Sequence, residues 1–278
     1  MDIFITPFSA NEFMRQALAA GVLVSLACAI AGTFIVLRGL AFIGDALSHG
    51  VLPGIALALL LGFPGIVGAT MGAAFMIGGV TLITQRSKLS SDTAIGLLFV
   101  GMLSLGVVII SRSGSFSGDL TRILFGEILG IGLGDIVIQL IATVIIGLIA
   151  IVCARPFMLL SFDSDQAQVA GFSPKLYHNL MLFMIAATII VSFQTVGTLL
   201  VFGLLVAPAA AGAMIARRIG AMIAWAALFG GLAVYIGLLL SYHLNLSAGA
   251  AIVLTATVIF FTVFIFRNIR RHSAQVAP

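Results

Sequence analysis

The sequence predicts an all-α fold, a polytopic helical membrane protein with about nine transmembrane helices (8–9). Three observations carry that reading. Of 278 residues, 62% are hydrophobic and only 8% charged, where soluble domains carry about 25% charged residues. Apolar runs long enough to cross a hydrocarbon core of about 30 Å recur from residue 15 onward. Blocks such as ALALLLG (56–62) and ATVIIGLIAIVCA (142–154) are apolar on every side, which excludes the alternating pattern of a membrane β-barrel.

Apolar runs and polar breaks place the spans near 15–37, 44–62, 65–84, 93–112, 133–154, 177–193, 195–216, 219–241 and 247–267. The seventh is divided from the sixth by Gln194 alone, the only polar hinge in that stretch. Segment 113–131, SGSFSGDLTRILFGEILGI, is too polar to span and reads as an outer loop with a short surface or re-entrant helix. No soluble stretch is long enough for a second domain, so residues 1–278 form one transmembrane domain, with a core at 12–267 and a cytoplasmic tail at 268–278.

Nine spans with the C-terminus inside sort the basic residues. Arg38, Arg86, Lys88, Arg155, Lys175, Arg217, Arg218, Arg267, Arg270 and Arg271 fall on the inner side, and Arg15, Arg112 and Arg122 on the outer. That asymmetry orients the chain with its N-terminus outside. The net charge of +4 therefore reports orientation, not affinity for nucleic acid. Asp2, Glu12, Asp119, Glu127 and Asp135 fall on the outer side, where carboxylates concentrate cations, or are simply solvated loop charges.

Cys28 and Cys153 both lie in apolar spans and read as small packing residues, not a disulfide framework. The start, MDIFITPFSANEF, lacks the basic region of a cleavable signal peptide. Small-residue stretches such as GATMGAAFMIGG (68–79) and GLLVAPAAAGAMIA (203–216) suit close helix packing, with Pro208 expected to kink its helix or free a carbonyl. No internal repeat is evident.

The longest inner loop is RPFMLLSFDSDQAQVAGFSPK (155–175). Asp163 is a natural N-cap, Gln166 completes a capping box, Gly171 supplies a left-handed stop and Pro174 blocks continuation. A helix so short is marginal in water and must rest on something. It either docks in a groove of a cytoplasmic partner or lies on the protein's own inner surface.

Residues 44–54, GDALSHGVLPG, put Asp45 and His49 one turn apart on one helical face, about 10–16 Å beyond Arg38, with Ser48 beside them and Pro53 following. An ionised carboxylate at mid-membrane costs about 2.5–3.5 kcal/mol even on a lenient scale, so such residues are functional by default. Carboxylate plus neutral imidazole makes a ligand set suited to zinc, manganese or iron(II). The alternatives are Asp45 as an N-cap of the second span and His49 as a hydrogen-bonded packing residue.

With those residues in view, the chain resembles a known family. LRGLAFIGDALSHGVLPGIALA (37–58), SSDTAIGLLFVG (90–101), DLTRILFGEILG (119–130), SFDSDQAQVAGF (161–172) and VGTLLVFGLLVAPAAAG (196–212) look like the membrane permeases of metal-ion ABC importers, which take up zinc, manganese or iron. The resemblance implies a homodimeric permease in a bacterial cytoplasmic (inner) membrane, working with two copies of a cytoplasmic ATP-binding subunit and an extracytoplasmic metal-binding protein. It implies no permanently bound cofactor: the metal is cargo, and ATP is held by the partner. It also implies metal contacts at Asp45 and His49, and an ATPase-coupling element running from Asp163 through Asp165, Gln166 and Ala167 to Gly171. Relatives often carry Asp within the stretch that here reads SYHLNLSAG (241–249); this chain has Asn245, with His243 as a substitute and Glu127 as a further contact at the outer mouth.

No GxxxxGK[ST] loop occurs, so the chain is not expected to be an enzyme, and energy must come from a partner or an ion gradient. A secondary transporter using Asp45 and His49 as a proton relay is the alternative reading. An intramembrane hydrolase fits poorly, because HExxH is missing and GSFSG (114–118) has the wrong serine spacing for a nucleophile elbow.

Overall fold

Glycine or proline stands at the ends of several helices, as at Gly39, Pro64, Gly171, Pro174 and Gly197. The computed structural model of the chain describes residues 2–87, 89–111 and 128–276. Its helices are α1 (Asp2–Ala10), α2 (Glu12–Leu37), α3 (Ala41–Gly50), α4 (Leu52–Leu60), α5 (Gly65–Arg86), α6 (Ser91–Ser111), α7 (Leu133–Val152), α8 (Ala154–Phe162), α9 (Ser164–Val169), α10 (Pro174–Val196), α11 (Thr198–Ile215), α12 (Ile219–Leu244) and α13 (Ala248–Val276). A single 3₁₀ turn at Ile128–Gly130 precedes α7. Among the described residues nine stretches are long and apolar enough to cross a membrane, with α3 and α4 together forming one of them.

Two groups of helices share one apolar core. In the first, α2 packs against α7, α11 and α12, and α13 covers α11 and α12. In the second, α3, α4, α5 and α6 pack on one another. α10 joins them by touching α2, α7 and α11 on one side and α3 and α5 on the other. The first group is also tied by polar contacts: buried Gln139 on α7 lies 3.4 Å from the hydroxyls of both Ser192 and Thr195 on α10. In an apolar interior such groups must pair with one another.

Small residues set the closest approaches, as the sequence suggested. On α4 and α5, Gly54 and Gly68 face each other so tightly that a Cβ on either would collide with the other's carbonyl oxygen. Gly68→Leu is expected to push the two helices apart at a cost of about 1–3 kcal/mol or more. A thermal-unfolding scan of the purified chain in detergent should show the fall, and an unchanged midpoint would contradict this packing.

The boundary between the sixth and seventh spans lies three residues beyond the expected Gln194, which sits inside α10. The turn is Gly197 alone, with φ 81° and ψ 160°. Residues bearing a Cβ scarcely enter that region of backbone space. Polarity marked the wrong residue, because the corner is buried and needs conformational freedom more than hydration. Gly197→Ala should therefore destabilise the chain by about 1–3 kcal/mol, read as a lower melting temperature with no change in helical content at low temperature. Pro208 does not interrupt its helix: α11 continues through it to Ile215.

Candidate functional site

The second span begins at Ala41, after a turn in which Gly39 takes φ 65°. Leu40 is its N-cap, so Asp45 is not a cap but the fifth residue of α3. Depth is therefore measured from Ala41 and is shallower than the count from Arg38 implied: about 6 Å for Asp45 and about 12 Å for His49 at 1.5 Å per residue. After Gly50 the helix breaks at Val51, because Pro53 has no N–H to return to the preceding turn. A backbone N–H at the break reaches the His49 carbonyl instead.

The i, i+4 spacing brings His49 Nε2 to 3.5 Å from Asp45 Oδ1. That is long for a hydrogen bond, whose usual range is about 2.7–3.2 Å. It lies just beyond the spacing of two ligands on one metal ion, which at about 2.1 Å from the ion and about 90–109° apart stand about 3.0–3.4 Å from each other, so a small rotation of either side chain brings both to an ion. The side chains are 22% and 29% exposed, so the pair opens on the chain's surface within a spanning helix. His49 Nδ1 is buried without a hydrogen-bond partner, so the imidazole is not a fully hydrogen-bonded packing residue.

Sequence reading missed what holds the ring. Phe99 of α6 lies against the imidazole with ring centroids 5.9 Å apart, a contact across 50 residues that no local pattern announces. Ser48 is buried, and its hydroxyl donates to the Gly44 carbonyl at 2.8 Å, so it turns away from the pair. Among the described residues no group of three or more His, Cys, Asp or Glu side chains gathers in a metal-binding arrangement.

The outer-mouth candidates stand elsewhere. His243 is exposed on the last turn of α12, with its ring edge-on to Tyr242 at 5.3 Å. Asn245 is the left-handed C-cap of α12 with φ 53°, a conformation Asn tolerates better than most residues. α12 packs on α2, α11 and α13, whereas α3 lies mainly among α5, α6, α10 and α11. These two residues thus stand apart from the Asp45–His49 pair, and Glu127 lies outside the described residues.

The fenced inner helix forms as α9, six residues long. Asp163 caps it by accepting from the Asp165 N–H at 2.8 Å, so the cap bond reaches the second helical residue. Gly171, at φ 85°, ends it in a Schellman turn, with Gly171 N–H to Gln168 O and Phe172 N–H to Ala167 O, both 3.0 Å. Ala167 is buried beneath α9, while Asp165, Gln166 and Val169 face outward. Phe172 and Phe157 both meet Tyr177 edge-on, fixing this corner to α8 and α10. The preceding α8 was not anticipated, because RPFMLLSF begins with a helix-restricting Arg-Pro step that here serves as the helix's first turn.

Comparison with known proteins places this geometry in context. The family model for the ABC 3 transport family matches residues 10–267. The manganese transport system membrane protein MntC of Listeria monocytogenes is 36% identical, over 95% of this chain and 94% of that protein. A Haemophilus influenzae protein described as a probable iron transport system membrane protein is also 36% identical, over 93% of this chain and 95% of its own length. Among solved structures, PsaBC from Streptococcus pneumoniae in complex with Fab superposes with a TM-score of 0.84 at 34% identity, covering 94% of both chains.

Proposed function

The chain belongs to the ABC 3 transport family, and from that premise we propose that it is the membrane permease subunit of an ATP-driven importer for a divalent transition metal. The observation that carries the reading is the Asp45–His49 pair, 3.5 Å apart and partly open on an otherwise apolar spanning helix. A partly exposed carboxylate in that setting needs water or a second protein surface, because hydrocarbon would tax it heavily. Two copies of the chain, facing each other across a shared path, bring four such ligands together and leave the remaining positions to water.

In the mechanism we propose, an extracytoplasmic binding protein releases the ion into that path. Asp45 and His49 hold it weakly enough to let it leave, since a site that closes fully traps its ion. Two copies of a cytoplasmic ATPase engage α9 and rock the protomers, opening the inner side. Ten of the thirteen Lys and Arg residues then stand on the cytoplasmic face of the inner membrane, with the N-terminus outside.

Carboxylate and imidazole without thiolate suit manganese and iron(II) as well as zinc. The similar proteins named for manganese and iron favour the first two. The deciding experiment is uptake into proteoliposomes holding the permease, its ATPase and its binding protein, with manganese as the followed ion. Uptake should require ATP and fall when iron(II) is added in competition. Uptake driven by a proton gradient without the ATPase would replace this reading with a secondary transporter.

A further inference from the structure

On the membrane face that bears Arg38, Arg86 and Lys175, a cavity of about 260 Å³ opens between α3, α5 and α10. Its polar wall is Thr81 and Thr84 from α5 with Lys175, His178 and Asn179 from α10. Arg38 stands behind it, 2.7 Å from His178 Nδ1. A guanidinium can only donate, so Nδ1 accepts and the imidazole is held as the tautomer whose other nitrogen carries the proton. The wall therefore offers donors from Lys175, His178 and Asn179, with Lys175 as its own positive charge and Arg38 adding a second behind it, while the Thr84 hydroxyl donates to the Val80 carbonyl. None of the described residues lining it is acidic.

A second groove of about 510 Å³ shares Thr81 and Asn179 with the first and continues along α5 and α10. Its lining changes to Ala74, Gly78, Leu82 and Phe183. Gly78 has open space where a side chain would stand, and Leu82 and Phe183 are 53% and 60% exposed beside it. A basic, donor-rich pocket running into an apolar furrow has the two-part chemistry of a phospholipid. A metal cation would meet Lys175 and Arg38, and a soluble anion would leave the furrow without purpose.

We propose that this groove holds an anionic phospholipid, its phosphate headgroup against Lys175, His178 and Asn179 and one acyl chain along Gly78. The site is separate from the Asp45–His49 pair and does not rest on the transport reading.

The test uses the full-length chain purified in detergent, with phosphatidylglycerol, phosphatidylcholine and inorganic phosphate as probes, read by native mass spectrometry and by thermal stabilisation. Phosphatidylglycerol should be retained and should raise the melting temperature; phosphatidylcholine and inorganic phosphate should do neither. Each basic charge near an anionic headgroup contributes about fivefold in binding, so Lys175→Glu should weaken phosphatidylglycerol by about thirtyfold. Gly78→Phe should block the furrow and remove retention while leaving the headgroup residues in place. Equal stabilisation by inorganic phosphate would make this a soluble-anion site and overturn the proposal. Retention unchanged in both variants, or equal retention of phosphatidylcholine, would also overturn it, the former pointing to a face covered by a second copy.

Discussion

Asp45→Asn is expected to abolish metal uptake while the chain still folds, pairs and binds its ATPase. Asparagine keeps the size of the side chain and a carbonyl oxygen but loses the negative charge that offsets a dication. Removal of groups that merely orient metal ligands costs 10–100-fold in affinity, so loss of a ligand charge should lower uptake by more than about a hundredfold. Among the described residues Asp45 pairs with His49 alone, so the fold does not lean on that charge elsewhere. Asp45 caps no helix, and its recorded ion-pair partner is His49 at 3.5 Å. The measurement is ATP-driven manganese uptake in proteoliposomes, with copurification of the ATPase as the control for assembly. Wild-type uptake by the variant would remove the pair from the pathway.

Ala167→Pro is expected to separate ATP hydrolysis from transport. The Ala167 N–H donates to the Asp163 carbonyl at 3.3 Å, and the side chain is buried under α9. Proline removes that bond and sets its ring against the same carbonyl, at about 3 kcal/mol or more. A helix of six residues has no surplus with which to absorb this. Ser164→Pro is the matched control, since the first helical position tolerates proline and Asp163 already has the extended backbone that a following proline requires. The first variant should hydrolyse ATP with uptake at background, and the second should transport as the parent does. Normal uptake by Ala167→Pro would show that the coupling contact lies elsewhere.

Much of this architecture is written locally in the chain. Most spans follow from long apolar runs, and the ends of α9 follow from Asp163, Gly171 and Pro174, whose preferences are properties of single residues. The Asp45–His49 pair was legible because four residues make one helical turn. What escaped notice depends on tertiary placement. Phe99 against His49 and Arg38 against His178 join residues 50 and 140 positions apart. Gly197 was passed over for Gln194 because a polar residue draws attention in an apolar stretch, whereas the backbone there needed a missing Cβ. Asn245, read as a lost carboxylate, sits where a left-handed cap is required, which gives asparagine a local reason for being there.

The corner at Gly197 has a mechanical consequence. With one residue between them, α10 and α11 have no slack, so neither can slide far without dragging the other. The foot of α10 adjoins the short helix at 164–169, and α11 leans on α3, which carries the acid and the imidazole. The bent pair is thus built as a stiff crank: a displacement at its foot would reach the face that carries Asp45 and His49 with little of it lost in a floppy joint.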